Sequence, residues 1–241
     1  MSVNRVLTRA VDGLRRAERL LVPPRCLLCG AAADDAGLCA ACRAELPRNA
    51  SCCARCAEPL PMPAPLCGRC LRHPPPWDVA WVPLRYAWPL DVLEARFKFG
   101  GDLAAGRALA AQWLAQAPPS ALPAALIPVP LHVSRLRRRG YNQALELARA
   151  LGRALQIPVH ARALRRTRAT AAQTELDRVA RRRNVRGAFA LATGYAPPAH
   201  VAVLDDVLTT GATLAECARV LRRAGVARVD VWALARAPAA R

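Results

Sequence analysis

The chain has 241 residues, of which 54% are hydrophobic, and its formal net charge is +19. This length suits one medium-sized domain plus a small appendage, and the apolar fraction is ample for a core. The charge indicates polyanionic partners, either nucleic acid or highly phosphorylated substrates. Lys98 is the sole lysine among 36 basic residues, as expected where a GC-rich genome has replaced lysine with arginine. Part of the arginine content therefore reflects genomic base composition and not function.

The pattern of apolar residues excludes membrane-spanning and secreted classes of protein. No apolar run is long enough to cross a membrane, and no signal-peptide pattern is present. Residues 1–22 predict a basic amphipathic helix, with Val3, Leu7, Val11 and Leu14 at helical spacing. A packing role for this helix is favoured over a transit peptide or a membrane-surface helix. We therefore expect a cytoplasmic protein without stable membrane insertion.

Residues 23–73 are dominated by cysteine pairs with the spacing of zinc knuckles. Nine of the ten cysteines lie between Cys26 and Cys70. Two C-x-x-C pairs complete one tetrahedral Zn²⁺ site, so four pairs make two sites. The predicted ligands are Cys26, Cys29, Cys39, Cys42, Cys53, Cys56, Cys67 and Cys70. The segment has few large apolar side chains and needs metal to fold, which predicts a double zinc ribbon.

Three alternatives remain open for these cysteines. Pairing in sequence order is the simplest arrangement, but a cross-braced arrangement would use the same spacing. Disulfides are less favoured because nothing indicates export. Cys52 could replace Cys53 as a ligand or remain a spare thiol, while Cys217 falls on the apolar face of a predicted helix and is expected in the core.

A proline-rich linker at residues 73–76 separates the ribbon from a second domain at residues 77–241. Helices are predicted at 102–116, 141–156 and 213–224, and strands at 79–88, 125–129, 159–164, 188–191, 200–204 and 228–234. Strands that alternate with helices indicate a doubly wound α/β domain with ligands at the carboxyl ends of its strands.

Two arginine-rich segments of this domain are predicted to be functional loops. The first runs from Pro128 through Arg135 and Arg139 to Gln143, and its guanidinium groups could grip a diphosphate bidentately. His132 in this loop is as consistent with packing or capping as with catalysis. The second spans residues 168–186 and is predicted to be an active-site lid.

Residues 201–213 carry the most informative motif of the chain. An apolar strand leads into Asp205 and Asp206, and a Thr- and Gly-rich turn then opens a helix. The N–H groups at a helix N-terminus favour an anion, and Gly211 allows close backbone approach. The adjacent carboxylates need hydrogen-bond donors or positive charge, which sugar hydroxyls and Mg²⁺ would both supply. The alternative is an ordinary strand-to-helix turn with an acidic cap.

This motif resembles the phosphoribosyl-diphosphate (PRPP) motif of type I phosphoribosyltransferases. The resemblance implies that Asp205 and Asp206 bind the ribose hydroxyls and that the turn binds the 5′-phosphate. The implied PRPP-binding residues of this segment are Asp205, Asp206, Val207, Leu208, Thr209, Thr210, Gly211, Ala212 and Thr213.

Four features together closely resemble the ComF family, from about Cys26 to the C-terminus. They are the ribbon cysteines and the segments IPVPLHVSRLRRRGYNQA, RTRATAAQTELDRVARRRNVRGAF and VAVLDDVLTTGATL. The resemblance implies a type I phosphoribosyltransferase fold behind a double zinc ribbon, and a role alongside the machinery that imports single-stranded DNA. It adds Lys98, Arg135, Arg139, Gln173 and Arg183 to the PRPP site, with Asp205, Asp206 and Arg139 as the catalytic residues.

The leading hypothesis is PRPP–Mg²⁺ binding and phosphoribosyl transfer with release of diphosphate. Because no base-recognition pocket can be read from the sequence, a PRPP sensor without turnover is an alternative. The other alternative is a single-stranded-DNA-binding module that acts with a DNA-uptake helicase. In such a module arginines would grip phosphates, and Trp77, Trp81, Trp88 or Tyr141 would stack on bases.

Overall fold

The computed structural model describes residues 24–168 and 185–238. The predicted helix at 1–22, and Gln173 and Arg183 of the predicted lid, lie outside the described residues.

The cysteine-rich segment contains two short helices, and each follows directly after a cysteine. Helix α1 is Ala40–Ala44 and helix α2 is Gly68–Arg72. Cys39 and Cys67 occupy the N-cap positions of these helices, with extended backbone angles. The Cys39 thiol also accepts a hydrogen bond from the Cys42 N–H at 3.4 Å. Each helical turn therefore presents two cysteines toward the same point.

The second domain is built on a parallel sheet. Its strands are β1 (Ala80–Trp81), β2 (Leu84–Arg85), β3 (Ala125–Pro128), β6 (His200–Leu208) and β7 (Arg228–Arg236). The order is β1-β7-β6-β3, and β2 also pairs with β7. Strands β4 (Leu164–Arg166) and β5 (Phe189–Leu191) form a separate antiparallel pair.

Within residues 77–168 and 185–238, the helices of the domain are α3 (Leu90–Phe99), α4 (Leu103–Leu114), α5 (Val133–Arg139), α6 (Gln143–Leu155) and α7 (Ala212–Arg223). Helix α6 packs against α4, β3 and β6, whereas α7 packs against β5, β6 and β7. The carboxylate of Asp102 and the amide oxygen of Asn142 cap α4 and α6 by accepting backbone N–H groups. The predicted doubly wound α/β fold is confirmed.

Several predicted boundaries were wrong. Residues 79–88 form two two-residue strands rather than one. The strand predicted at 159–164 reduces to a single bridge between Val159 and Leu126, followed by β4. Strand β6 continues past Leu204 to Leu208 because β7 pairs with it over that whole length. Helix α3 was missed altogether.

Three tryptophans lie at the centre of the core. The ring of Trp81 contacts Trp232 edge-on at a centroid distance of 4.8 Å and Trp113 at 5.6 Å. Trp77 is also buried, whereas Trp88 is 66% exposed. Trp77 and Trp81 therefore pack inside the protein and do not offer free faces to nucleic-acid bases. Within the described residues, no helix is both long enough and apolar enough to cross a membrane.

Candidate functional site

The eight knuckle cysteines form two separate groups of four thiols. In each group the four sulfur atoms lie within 4.8 Å of one another. The first zinc site consists of Cys26, Cys29, Cys39 and Cys42, and the second zinc site consists of Cys53, Cys56, Cys67 and Cys70. The pairing in sequence order is confirmed, and the cross-braced arrangement is not adopted.

The geometry and the chemistry of both groups fit Zn²⁺. The Sγ atoms of Cys29 and Cys39 are 3.7 Å apart, and those of Cys56 and Cys67 are 3.6 Å apart. Four Zn–S bonds of about 2.3 Å in a tetrahedron separate the sulfurs by about 3.8 Å. Burial opposes ionisation of Cys53, but backbone N–H groups around the knuckle lower its pKa to about 7. Cys52 lies outside both groups and is not a ligand.

The two adjacent acids lie where one neighbour of strand β6 ends. Strand β3 pairs with β6 only as far as Pro128, which is opposite Leu204, whereas β7 continues alongside. Beyond Leu204, no described strand pairs with β6 on the β3 side, at the level of Asp205 and Asp206. A crevice at the carboxyl end of parallel strands is the usual ligand position in this fold.

Asp206 pairs with the sole lysine of the chain. Lys98 Nζ, at the end of α3, lies 3.0 Å from Asp206 Oδ2 and 3.1 Å from Glu94 Oε1. The Glu94 side chain is 1% exposed and that of Asp206 is 11% exposed. The Tyr86 hydroxyl lies 3.5 Å from the other oxygen of Glu94. One ammonium group thus faces two buried carboxylates.

This crowding separates the pKa values of the three acids. Burial and the charge of Asp206 raise the pKa of Glu94 to about 7. Burial and the same neighbour raise the pKa of Asp205 well above its usual range. Burial acts against ionisation of Asp206 as well, but the Lys98 ammonium and the Val207 N–H outweigh it and lower the pKa. Asp206 is therefore the acid of the group that ionises most readily.

The turn at residues 209–213, hereafter the 209–213 turn, links β6 to α7. Gly211 is the N-cap of α7 with a φ of +75°, and a Cβ atom there would lie 2.9 Å from the Trp77 ring. Glycine is required on both counts. The Thr210 hydroxyl accepts the Ala212 N–H at 3.3 Å. The structure thus confirms that the turn stands at the N-terminus of a twelve-residue helix, where anions are favoured.

The first arginine-rich segment is a helix rather than the predicted loop. His132 caps α5 by accepting the Ser134 N–H, and Gly140 ends it in the left-handed conformation. His132 is thus a capping residue. Arg139 Nη1 donates to Gln143 Oε1 at 2.7 Å, and Gln143 Nε2 donates to the Lys98 carbonyl at 3.3 Å. Arg139 and Lys98 are therefore connected through one buried glutamine.

Arg166 on β4 was missed by sequence reasoning, although it belongs to the same cationic region. Burial lowers its pKa, as does the charge of Arg135, while the Asp205 carboxylate acts in the opposite direction. Burial and the neighbouring Arg139 likewise lower the pKa of Arg135. Arg166 thus interacts electrostatically with both Arg135 and Asp205, and nothing in its sequence context distinguishes it from the neighbouring arginines.

Comparison with known proteins places the chain in a family. The double zinc ribbon domain model matches residues 17–71. Competence protein F of Haemophilus influenzae is 42% identical over 176 residues, which cover 69% of this chain and 76% of that protein. DNA utilization protein YhgH is 36% identical in Escherichia coli K12 and 37% in Salmonella typhimurium, in each case over 225 residues covering 90% of this chain and 99% of the relative. The chain therefore belongs to the ComF family of competence protein F and DNA utilization protein YhgH.

Proposed function

We propose that the protein binds PRPP with Mg²⁺ and transfers its phosphoribosyl group, with release of diphosphate. The observation that carries this proposal is that three parts of the site adjoin one another: the acids, the turn and a basic pair. The acids of β6 lie beyond the last residue pair of β3 and β6, and the 209–213 turn follows within three residues. Lys98 pairs with Asp206 and is linked to Arg139 through Gln143. Carboxylates that accept from ribose hydroxyls next to an anion-binding helix N-terminus suit a ribose 5-phosphate.

In this proposal each part of the site holds one part of PRPP. The 209–213 turn takes the 5′-phosphate, and Asp205 and Asp206 accept hydrogen bonds from the ribose hydroxyls. Arg135 and Arg139 take the diphosphate, assisted by Gln173 and Arg183 of the segment outside the described residues. Mg²⁺ bound with PRPP would neutralise diphosphate charge.

The reaction breaks the bond between the anomeric carbon and the diphosphate, which leaves with its electron pair. A nucleophilic acceptor then forms the new bond to that carbon. Positive charge develops on the ribose in between, so holding the sugar and the departing diphosphate is the main contribution of the protein. If no acceptor reacts, the same site serves as a PRPP sensor.

The names of the relatives suggest the cellular setting. One relative is a competence protein and the others are DNA utilization proteins. We accordingly place the protein in the cytoplasm, in DNA uptake during competence, with residues 23–73 as the ribbon and 77–241 as the phosphoribosyltransferase-like domain. Single-stranded DNA and the DNA-uptake helicase machinery are the proposed partners.

The proposal is tested by calorimetric titration of the zinc-loaded protein with PRPP, with and without Mg²⁺. We expect Mg²⁺-dependent binding that weakens at least about 100-fold in the Asp205→Asn, Asp206→Asn double variant, because the ribose hydroxyls lose both carboxyl acceptors, including the charged one of Asp206. Asp91→Asn, at the opposite end of α3 from Lys98, is the control and should bind like wild type. Unchanged PRPP affinity in the double variant would refute the ribose assignment.

A nucleic-acid-binding function is the second candidate, favoured by the net charge of +19 and the arginines of α5. With about three phosphate contacts, affinity for single-stranded DNA should fall about 20-fold between about 50 and 200 mM salt through counterion release. Fluorescence anisotropy with a labelled oligonucleotide measures this slope. The Asp205→Asn, Asp206→Asn variant should bind DNA as well as wild type or slightly better. A complex insensitive to salt would contradict the arginine–phosphate account.

A further inference from the structure

The second zinc ribbon and the 209–213 turn face each other across one cavity. The cavity has a volume of about 720 Å³. Cys56 and Cys70 line one side of it, and Thr209, Thr210 and Gly211 line the other. A zinc site of the ribbon thus lies against the surface assigned to the 5′-phosphate. The contacts around this cavity show how the two are joined.

The first connection is Arg236, the last residue of β7. Its side chain is 2% exposed, and its Nη1 donates to the carbonyls of Leu208 at 2.8 Å and Thr209 at 2.5 Å. Its Nη2 pairs with the carboxylate of Glu58, two residues beyond the ligand Cys56. A single buried guanidinium therefore holds the start of the turn on one side and the ribbon on the other. Because it is buried, its geometry depends on all of these acceptors.

The second connection is Trp77, which follows the proline linker. Its Nε1 donates to the carbonyl of Arg55 at 2.5 Å, inside the Cys53–Cys56 knuckle. Its ring lies against Gly211, so closely that a Cβ atom there would be 2.9 Å from Cη2. The knuckle thus orients the ring, and the ring limits where the N-cap of α7 can move.

The first zinc site has different neighbours. Its Leu27 carbonyl accepts a hydrogen bond from Arg96 on α3, and the Leu27 side chain lies near Gly37. Its own carboxylate–guanidinium pair, Asp34 with Arg43 at 2.5 Å, stays within the ribbon. Across residues 24–168 and 185–238, no hydrogen bond or ion pair joins its ligands Cys26, Cys29, Cys39 and Cys42 to residues 209–212.

We propose that the second zinc ribbon positions the 209–213 turn, with Arg236 and Trp77 as the positioning residues, and that zinc at this site thereby sets the affinity for the 5′-phosphate. The inference rests on the proposed function for the identity of the anion. The ribbon is then a working part of the ligand site, and loss of zinc from the second site weakens phosphate binding while the first site has no such effect.

Glu58→Gln is the most direct test because it removes the charge that faces Arg236 and leaves all zinc ligands in place. We expect Mg²⁺–PRPP to bind about tenfold more weakly by calorimetry. Binding of Mg²⁺–diphosphate, which the arginines of α5 would hold, should not change. A general loss of stability would weaken the binding of both ligands. A loss of affinity for PRPP alone therefore distinguishes an effect on the position of the turn from an effect on folding. Asp34→Asn is the matched control in the first ribbon and should leave both affinities and the content of two zinc ions unchanged.

Amide hydrogen exchange of residues 208–213 gives a second readout that needs no ligand. Exchange should be faster in Glu58→Gln and in Trp77→Phe, which lacks the Nε1 donor, than in Asp34→Asn or wild type. Equal exchange in all four proteins would overturn the inference, whether or not PRPP binds. If wild type fails to bind PRPP but the exchange pattern appears, the positioning role stands and the proposed function falls.

Discussion

Replacing Lys98 with methionine is expected to lower the free energy of unfolding by about 3 kcal/mol at pH 8. Lys98 Nζ is within 3.1 Å of both Glu94 and Asp206, whose side chains are buried. Removing one partner from a buried ion pair leaves uncompensated charge, which costs about 3–5 kcal/mol. We take the lower end because the Lys98 side chain is 26% exposed.

The destabilisation should depend on pH, with a sign that follows from Glu94. Its pKa is raised to about 7 in the folded protein, above the value of about 4.3 for an exposed glutamate. A raised carboxyl pKa means that the folded state binds more protons, so its stability falls as pH rises between these two values. Without Lys98 both acids lose their cation, so the pH range over which stability falls should extend to higher pH. The variant should therefore be closer to wild type at pH 5 than at pH 8.

Urea denaturation at the two pH values measures the effect. Glu94→Gln is the informative partner substitution, because it removes one of the two buried charges while retaining the shape. The Lys98→Met, Glu94→Gln double variant should recover part of the stability lost in Lys98→Met alone, which a double-mutant cycle would show as coupling. Additive losses with no dependence on pH would contradict the assignment of Lys98 as the shared counter-ion.

The acids and the turn could be predicted from sequence because they are local. An apolar run, two carboxylates and a Thr/Gly turn occupy thirteen consecutive residues, and hydrophobic periodicity identifies the strand and the helix around them. Glu94 could not be found in this way. It is a polar residue on a helix that sequence reasoning missed, and its role depends on the close approach of α3 to β6.

Helix α5 shows a different limit. Its first and last residues are Val133 and Arg139, and four of its seven residues are arginine, so no apolar face indicates a helix. The signals that were present are the caps. His132 precedes the first turn and Gly140 follows the last, and a glycine in the left-handed conformation is a common helix end. Composition alone led to the prediction of a loop.

The eight ligands of the zinc sites were predicted from knuckle spacing, but spacing left the pairing of the knuckles and the role of Cys52 open, and the structure resolved both. The spacing does not indicate which residues of the α/β domain each half of the ribbon packs against. Leu38 and Leu46 of the first half join the main core, whereas the second half contributes the small side chain of Ala57 to it and otherwise buries a separate cluster of Cys53, Cys56 and Cys70. The second half therefore depends on metal more than on apolar packing.

Removing zinc is expected to unfold the second half of the ribbon, with an energetic effect larger than any substitution above. Structural Zn²⁺ binds with an apparent free energy of about 10–16 kcal/mol, and that energy supports folding where no other core exists. Metal analysis of the reduced protein should give two zinc ions per chain. Chelation should then make residues 51–73 susceptible to limited proteolysis.

Serine substitutions separate the two zinc sites. Cys67→Ser should release one zinc ion and expose the second half to protease, because the cluster of Cys53, Cys56 and Cys70 loses the metal that joins it. Cys39→Ser should also release one zinc ion, but Leu38 and Leu46 should keep much of the first half packed against the α/β domain. Equal protease sensitivity of the two variants would mean that the apolar contacts of the first half do not compensate for its metal. Folded, protease-resistant protein without zinc would contradict the structural role of both sites.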